Sequence, residues 1–310
     1  GKCGFYVHED LPLISPMIKN ESGDPGLGLR TDEKITFEHM TFDGAARTYP
    51  AYDQNTNPPT YGGLTAAQYR GHLVRMYSVT GFQMTYCEVQ NHASTSMVDC
   101  GGLNSLYIGN DFHDNGKLDD ISPCLFVSPR SATGTTMPEN IRVIGNNFYD
   151  CQRMGMRFDV DGGLIEGNHF FNLREGGIHI NDGDRVIVKG NIFRDMTISD
   201  IVCNGIEIET SDPDVGMFVI SGNIFENLES RAISMNGTAS ATVTDNIIVN
   251  CGGATVYPSP NGPLNYAAGR AAGDPIDDTK SCAIHLVAAD DRTSNHIIVA
   301  NNIIRCTDGV

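Results

Sequence analysis

The sequence predicts an all-β solenoid of short strands stacked in parallel, and three observations predict it. First, an Asn followed two residues later by a large apolar residue recurs at Asn110, Asn146, Asn168, Asn191, Asn223, Asn246 and Asn301, with gaps of 36, 22, 23, 32, 23 and 55 residues. A period of this length marks stacked repeats. Second, the apolar partners are Phe112, Phe148, Phe170, Phe193, Phe225, Ile248 and Ile303, and a further slot five residues after the Asn holds Cys151, Leu173, Met196, Leu228, Cys251 and Cys306. Third, the stretches between these markers alternate apolar and polar residues and contain no long apolar pattern at helical spacing. That favours half-buried strands over strands alternating with helices.

One repeat shows how a coil is written. Gly177-Ile178-His179-Ile180-Asn181 reads as a strand and Asp182-Gly183-Asp184 as a turn. Arg185-Val186-Ile187-Val188-Lys189 is a second strand, and Gly190-Asn191-Ile192-Phe193 bends into a third. Such a unit cannot bury its own apolar face. Stacked in parallel about 4.8 Å apart, the units share one continuous core. The Asn is expected at the bend, where it tolerates left-handed backbone and bonds locally, and successive Asn residues are expected to form a ladder. The first repeat breaks the second apolar slot with Asn115.

These markers resemble the right-handed parallel β-helix of the pectate-lyase-like superfamily, over roughly Leu27 to Cys306. The resemblance implies a single-stranded β-helix with long loop insertions, of a kind found in polysaccharide-active enzymes and phage tailspikes. A left-handed hexapeptide helix needs a shorter period, and the Gly-Gly-x-Gly-x-Asp calcium repeat and the leucine-rich pattern are absent. So are the GHG and RxK motifs of polygalacturonases and the Asp-Pro-His motif of β-helical mannuronan epimerases.

Residues 1–310 are read as one β-helix domain. The chain opens at Gly1 and closes on Thr307-Asp308-Gly309-Val310, which resembles the start of another strand. An open coil exposes unpaired backbone, so the domain is expected to belong to a longer protein. The formal charge is −17, from 21 basic and 38 acidic residues, which argues against nucleic acid and anionic membrane surfaces as partners. No apolar run reaches the 18 residues of a membrane span. Nine Cys without a CxxC pair indicate neither a zinc site nor a disulfide framework. Cys151, Cys251 and Cys306 fill slots held elsewhere by Leu or Met, so buried, reduced thiols are expected.

Insertions break the period at Ala45–Arg70, His113–Ser122, Pro129–Glu139, Thr197–Asn204, Ser211–Gly216 and Ala254–Ser281. Insertions in a solenoid project from the turns and wall one face. The two longest carry Tyr49, Tyr52, Tyr61, Tyr69, Tyr257 and Tyr266.

Aligning the coils on the Asn places outward residues in columns. The inward pairs of the first strand read Val98 and Cys100, Leu125 and Val127, Met156 and Phe158, Ile178 and Ile180, Ile206 and Ile208, and Ile233 and Met235. The residue between them points outward, giving Asp99, Phe126, Arg157, His179, Glu207 and Ser234. The next outward column is Gly101, Ser128, Asp159, Asn181, Glu209 and Asn236, with Asp161 extending the Arg157 coil. The last coil leaves two candidates for the first column, His285 and Tyr257.

The concentration of Arg157, His179, Asp159, Asp161, Glu207 and Glu209 on three consecutive coils is the candidate site. Glycoside hydrolysis needs one carboxyl to protonate the leaving oxygen and another to activate water. Asp159 and Glu209 are assigned that pair, with His179, Arg157 and Glu207 as the other catalytic candidates. Asp161, Asn181, Asn236 and Tyr257 are assigned to substrate binding. A polysaccharide lyase would instead use His179 as base and Arg157 to neutralise a uronate carboxylate. Hydrolysis is favoured because the site is rich in carboxylates. The alternative is a non-catalytic structural or glycan-binding β-helix, such as a viral fibre or surface adhesin. No cofactor is expected, although a divalent cation such as calcium is allowed for. The expected setting is extracellular or virion-associated, with a homotrimer as candidate assembly.

Overall fold

The computed structural model describes residues 3–6, 18–19, 34–44, 72–92, 95–116, 123–129, 137–151, 153–196, 204–210, 216–238, 240–252, 282–287 and 296–305. Among them the chain lays down 28 strands and no α-helix. Every coil contributes one strand to each of three all-parallel sheets, of nine, nine and ten strands. In one coil Met156–Phe158 lies in the first sheet, Asp161–Glu166 in the second and His169–Phe171 in the third. The next coil repeats this with Gly176–Asn181, Asp184–Lys189 and Ile192–Met196. The molecule is therefore a parallel β-helix, as the periodicity predicts.

Like stacks on like along the interior. Phe112, Phe148, Phe170, Phe193 and Phe225 are fully buried, and consecutive ring centroids lie 4.9, 4.8, 4.8 and 4.7 Å apart with interplanar angles of 4–8°. The slot five residues after each Asn is also internal, holding Cys151, Leu173, Met196, Leu228 and Cys251. Asn115, the polar exception, is buried with both amide groups engaged. Its oxygen accepts the His92 N–H at 3.0 Å and its nitrogen donates to the Val89 carbonyl at 2.9 Å.

The second bend carries the Asn ladder. Asn110, Asn146, Asn168, Asn191, Asn223 and Asn246 each donate a backbone N–H and a side-chain N–H to the side-chain oxygen of the Asn in the following coil, at 2.8–3.0 Å. Each side-chain nitrogen also reaches back to a carbonyl of the preceding coil, for example Asn191 to Ile165 at 3.0 Å. At the N-terminal end Cys87 takes the Asn seat and donates its N–H to Asn110.

Two expectations are corrected here. The left-handed residue at the bend is not the Asn but its predecessor: Gly109, Gly145, Gly167, Gly190 and Gly222 have φ of 61–65°. Asp245 and Asn301 fill that seat at 59° and 57°. Asn301 therefore stands where other coils have Gly, and the ladder residue of the last coil is Asn302. Ile248 accordingly pairs with Ile304 rather than Ile303. Cys306, expected to share the slot of Cys251, lies outside the described residues.

A second series of left-handed residues was not read from the sequence. Asn91, Asp114, Asp150, Asn172, Asp195, Asn227 and Asn250, each four residues after a ladder seat, have φ of 50–56°. They lie at or just past the ends of the third-sheet strands, on the outside except for the buried Asn91, and Asn227 and Asn250 each bond the preceding member at 3.1 Å. Asn and Asp suit this seat because their short polar side chains tolerate left-handed backbone.

The ladder and the Phe stack make testable demands on stability. Phe170→Ala is expected to cost about 3–5 kcal/mol from the cavity it leaves. Asn191→Ala strips the acceptor from the Asn168 N–H groups and the donor from the Ile165 carbonyl, and is expected to cost at least about 2 kcal/mol. Urea unfolding of the two variants measures both. A loss below about 0.5 kcal/mol for Asn191→Ala would mean that the ladder does not stabilise the coil stack.

Candidate functional site

The candidate site lies on the outer face of the first sheet, whose in-register pairing makes columns. Pairing of Arg157 with His179, His179 with Glu207, Glu207 with Ser234 and Ser234 with His285 gives one outward line. Toward the N-terminus the line continues through Phe126, Val98 and Arg75. His285, not Tyr257, takes the last place, and Tyr257 lies outside the described residues. The second line runs Cys100, Ser128, Asp159, Asn181, Glu209 and Asn236. It forms because a strand points every other side chain the same way.

The N-terminal coil is shifted by one residue from the expected register. Asp99 pairs with Val127 and faces inward, while Val98 pairs with Phe126. The alternation misled because all four residues of Met97–Cys100 are buried. Asp99 is fully buried and accepts a hydrogen bond from the Tyr107 hydroxyl at 3.0 Å, and burial raises its pKa to about 6. Asp161 is also displaced. It opens the second-sheet strand, past the first corner, and forms an ion pair with Arg185, so it does not join the groove.

The carboxylates that remain occupy three different environments. Asp159 is only 3% exposed. Arg157 donates its Nε–H to it at 2.8 Å, and the Asn181 backbone N–H donates at 2.8 Å. Burial raises its pKa, opposed by Arg157 and by the Asn181 bond. Glu207 is largely enclosed, and burial pushes its carboxyl up, with nearby His179 opposing. Glu209 is half-exposed and His179 holds it down, the His179 Nε2 to Glu209 Oε2 distance being 3.6 Å. Within one strand two glutamates two residues apart are thus driven in opposite directions.

Other groups complete the surroundings. The Arg157 guanidinium lies 5.3 Å from the centre of the Phe126 ring, and Arg75 lies 4.6 Å from that of Tyr77. Arg231, in the turn before Ile233–Asn236, and Asn204, which opens the strand that carries Glu207, approach that carboxyl. The Arg231 Nη1 donates to the Ser234 hydroxyl at 3.4 Å. Sequence reading missed both residues, because Arg231 lies in a turn without a period and Asn204, read as the end of an insertion, opens the strand instead. The side-chain oxygen of Asn236 is buried without a protein hydrogen-bond partner. Such an atom demands water or a ligand. Among the described residues no group of three or more His, Cys, Asp or Glu is arranged to hold a metal ion. Apart from residues at their edges, the insertions expected to wall the groove lie outside the described residues.

The family described as a right-handed β-helix region matches residues 17–214 and 139–269 of the chain. No curated protein matches it in sequence. Among solved structures, PfbA, a surface adhesin of Streptococcus pneumoniae, aligns over 80% of this chain and 67% of its own with a TM-score of 0.58 and 13% identity. A second structure of that Streptococcus pneumoniae adhesin covers 97% and 85% with a TM-score of 0.38 and 11% identity.

The opposed carboxyls give a stability signature. Glu207, with its pKa raised in the fold, contributes stability that is full below its ordinary value of 4.5 and lost as pH rises through the folded value. Glu209, lowered in the fold, contributes above 4.5 and loses this as pH falls through the folded value. At neutral pH Glu207→Gln is therefore expected to be at least as stable as the parent protein, and Glu209→Gln less stable. Both differences should shrink below about pH 4. Urea midpoints at the two pH values check this, and a Glu207→Gln variant weakened at neutral pH contradicts it.

Proposed function

The chain belongs to the right-handed β-helix family, and from that premise we propose that it acts on a polysaccharide along the outer face of its first sheet, as a glycoside hydrolase. The observation that carries this reading is the placing of Glu207 and Glu209 on one strand, both outward, with His179 of the adjacent coil paired with Glu207 in register and its Nε2 3.6 Å from the Glu209 carboxylate. Their backbones are about 6.6 Å apart along the strand, a spacing from which the two carboxyl groups can reach the roughly 6.5–9.5 Å separation of inverting glycosidases. Glu207, enclosed and held toward its neutral form, protonates the leaving glycosidic oxygen. Glu209, kept ionised beside His179, activates water on the opposite side of the sugar ring. Opposed environments of this kind divide acid from base.

Asp159 leaves the acid–base role that the sequence suggested for it. Buried under Arg157 and the Asn181 N–H, it holds the guanidinium in place. Arg157, Phe126, Asn181 and Asn236 then form the binding surface beside the reacting pair.

A second reading has its own support. Asp159 is paired with Arg157, and Glu209 lies at ion-pair distance from His179, as befits a surface that binds glycan without cleaving it. One solved structure sharing this fold is a surface adhesin, and a location outside the cell suits both readings.

A panel of neutral and acidic polysaccharides, with products analysed by mass spectrometry, separates the chemistries. Products that gain a water support hydrolysis, 4,5-unsaturated products mean β-elimination with His179 as base, and retention of glycan without cleavage means the adhesin-like reading. In the hydrolase case Glu207→Gln and Glu209→Gln are each expected to lower turnover at least about a hundredfold. Undiminished cleavage by both variants would overturn the assignment.

A further inference from the structure

Cys124 and Cys151 belong to neighbouring coils and meet at the corner that leads into the first sheet. Cys124 directly precedes the strand Leu125–Ser128. Cys151 follows the third-sheet strand Asn147–Tyr149 and leads toward Met156–Phe158. Both side chains are within the core, 0% and 1% exposed, and their sulfurs are in contact at 2.6 Å. Leu125 pairs with Met156 and the Cys124 N–H donates to the Met154 carbonyl, so Cys124 faces the turn that Cys151 begins.

We propose that Cys124 and Cys151 form a disulfide that ties these two coils together when the chain folds in an oxidising compartment. The oxidant is a low-molecular-weight disulfide. While the corner is still open, the thiolate of one cysteine attacks a sulfur of that disulfide and releases one small thiol, leaving a mixed disulfide. The thiolate of the second cysteine then displaces the other small thiol and closes the Cys124–Cys151 bond. Two protein thiols are oxidised, and one small disulfide is reduced to two thiols. Packing of the core afterwards shields the bond from reductant.

The position gives the bond a consequence for the groove. The turns it joins lead into the strands that carry Phe126 and Arg157, whose ring and guanidinium lie one over the other. The cross-link fixes the separation of the coils that present this pair. The proposal does not depend on polysaccharide cleavage.

The test is to fold the chain in a glutathione and glutathione disulfide buffer, unfold it without reductant, alkylate the free thiols and map the digest by mass spectrometry. The expected result is a peptide pair joined through Cys124 and Cys151 that disappears on reduction. In Cys124→Ser, Cys151 is expected to carry the alkyl label. Alkylation of both residues in the parent protein, or linkage of either to another of the nine cysteines, would overturn the proposal, whether or not the serine variant folds.

Discussion

Register between coils is the constraint on which everything else in this molecule depends, and the buried Asn ladder enforces it. A parallel strand pair by itself tolerates sliding, because backbone groups repeat at every second residue. An amide fully removed from water cannot slide: its oxygen must meet two N–H groups of one coil, and its nitrogen a carbonyl. From Asn110 to Asn302 these bonds recur without a gap. Once that bend is pinned, Phe stacks on Phe inside. Outside, His113 stacks on Tyr149 and Tyr149 on Phe171, at 4.7 and 4.9 Å. The same pinning turns unrelated outward residues such as Arg157, His179 and Glu207 into a line of neighbours.

Local charge in the groove departs from that of the whole chain. With a formal charge of −17, the protein still gathers Arg75, Arg157 and His179 along the line that leads to Glu207. Arg157 is held by Asp159 and packed on Phe126, so its orientation is set before any ligand arrives. Glu207 sits where Arg231 and His179 oppose the cost of its burial. Polar surface that is fixed in advance binds with less loss of conformational freedom than mobile side chains do.

Most of the architecture was legible in the sequence because a solenoid repeats its physical problem at each coil. The Phe slot, the Asn ladder and the groove columns from Phe126 to Asn236 appear as periodic residue types. Misreadings came where a residue answered a different demand from the one its type suggested. Asn301 looks like a ladder residue but supplies left-handed backbone, a seat usually given to Gly. Asp99 looks like an outward carboxylate but is buried against Tyr107, and only pairing with Val127 reveals its side. Asp161 follows Asp159 at strand spacing, yet the chain turns a corner between them. Arg231 reaches Glu207 from a turn of irregular length, where alignment on the Asn has no purchase, and Asn204, read as the end of an insertion, opens the strand of Glu207 itself. The outer series of Asp and Asn residues was hidden because two residue types share the seat.

The bend glycines give the molecule one property with a practical side. At Gly145, Gly167, Gly190 and Gly222 an added β-carbon meets no atom within 4 Å, so backbone angle alone selects glycine there. Asp245 and Asn301 already occupy the equivalent seats of later coils. That edge is a row of vacant attachment points at one-coil spacing, running straight along the solenoid and clear of both the core and the groove. Residues able to adopt the left-handed turn carry side chains outward from it at regular intervals, so the protein contains a molecular ruler on which dyes, ligands or binding groups take up defined separations.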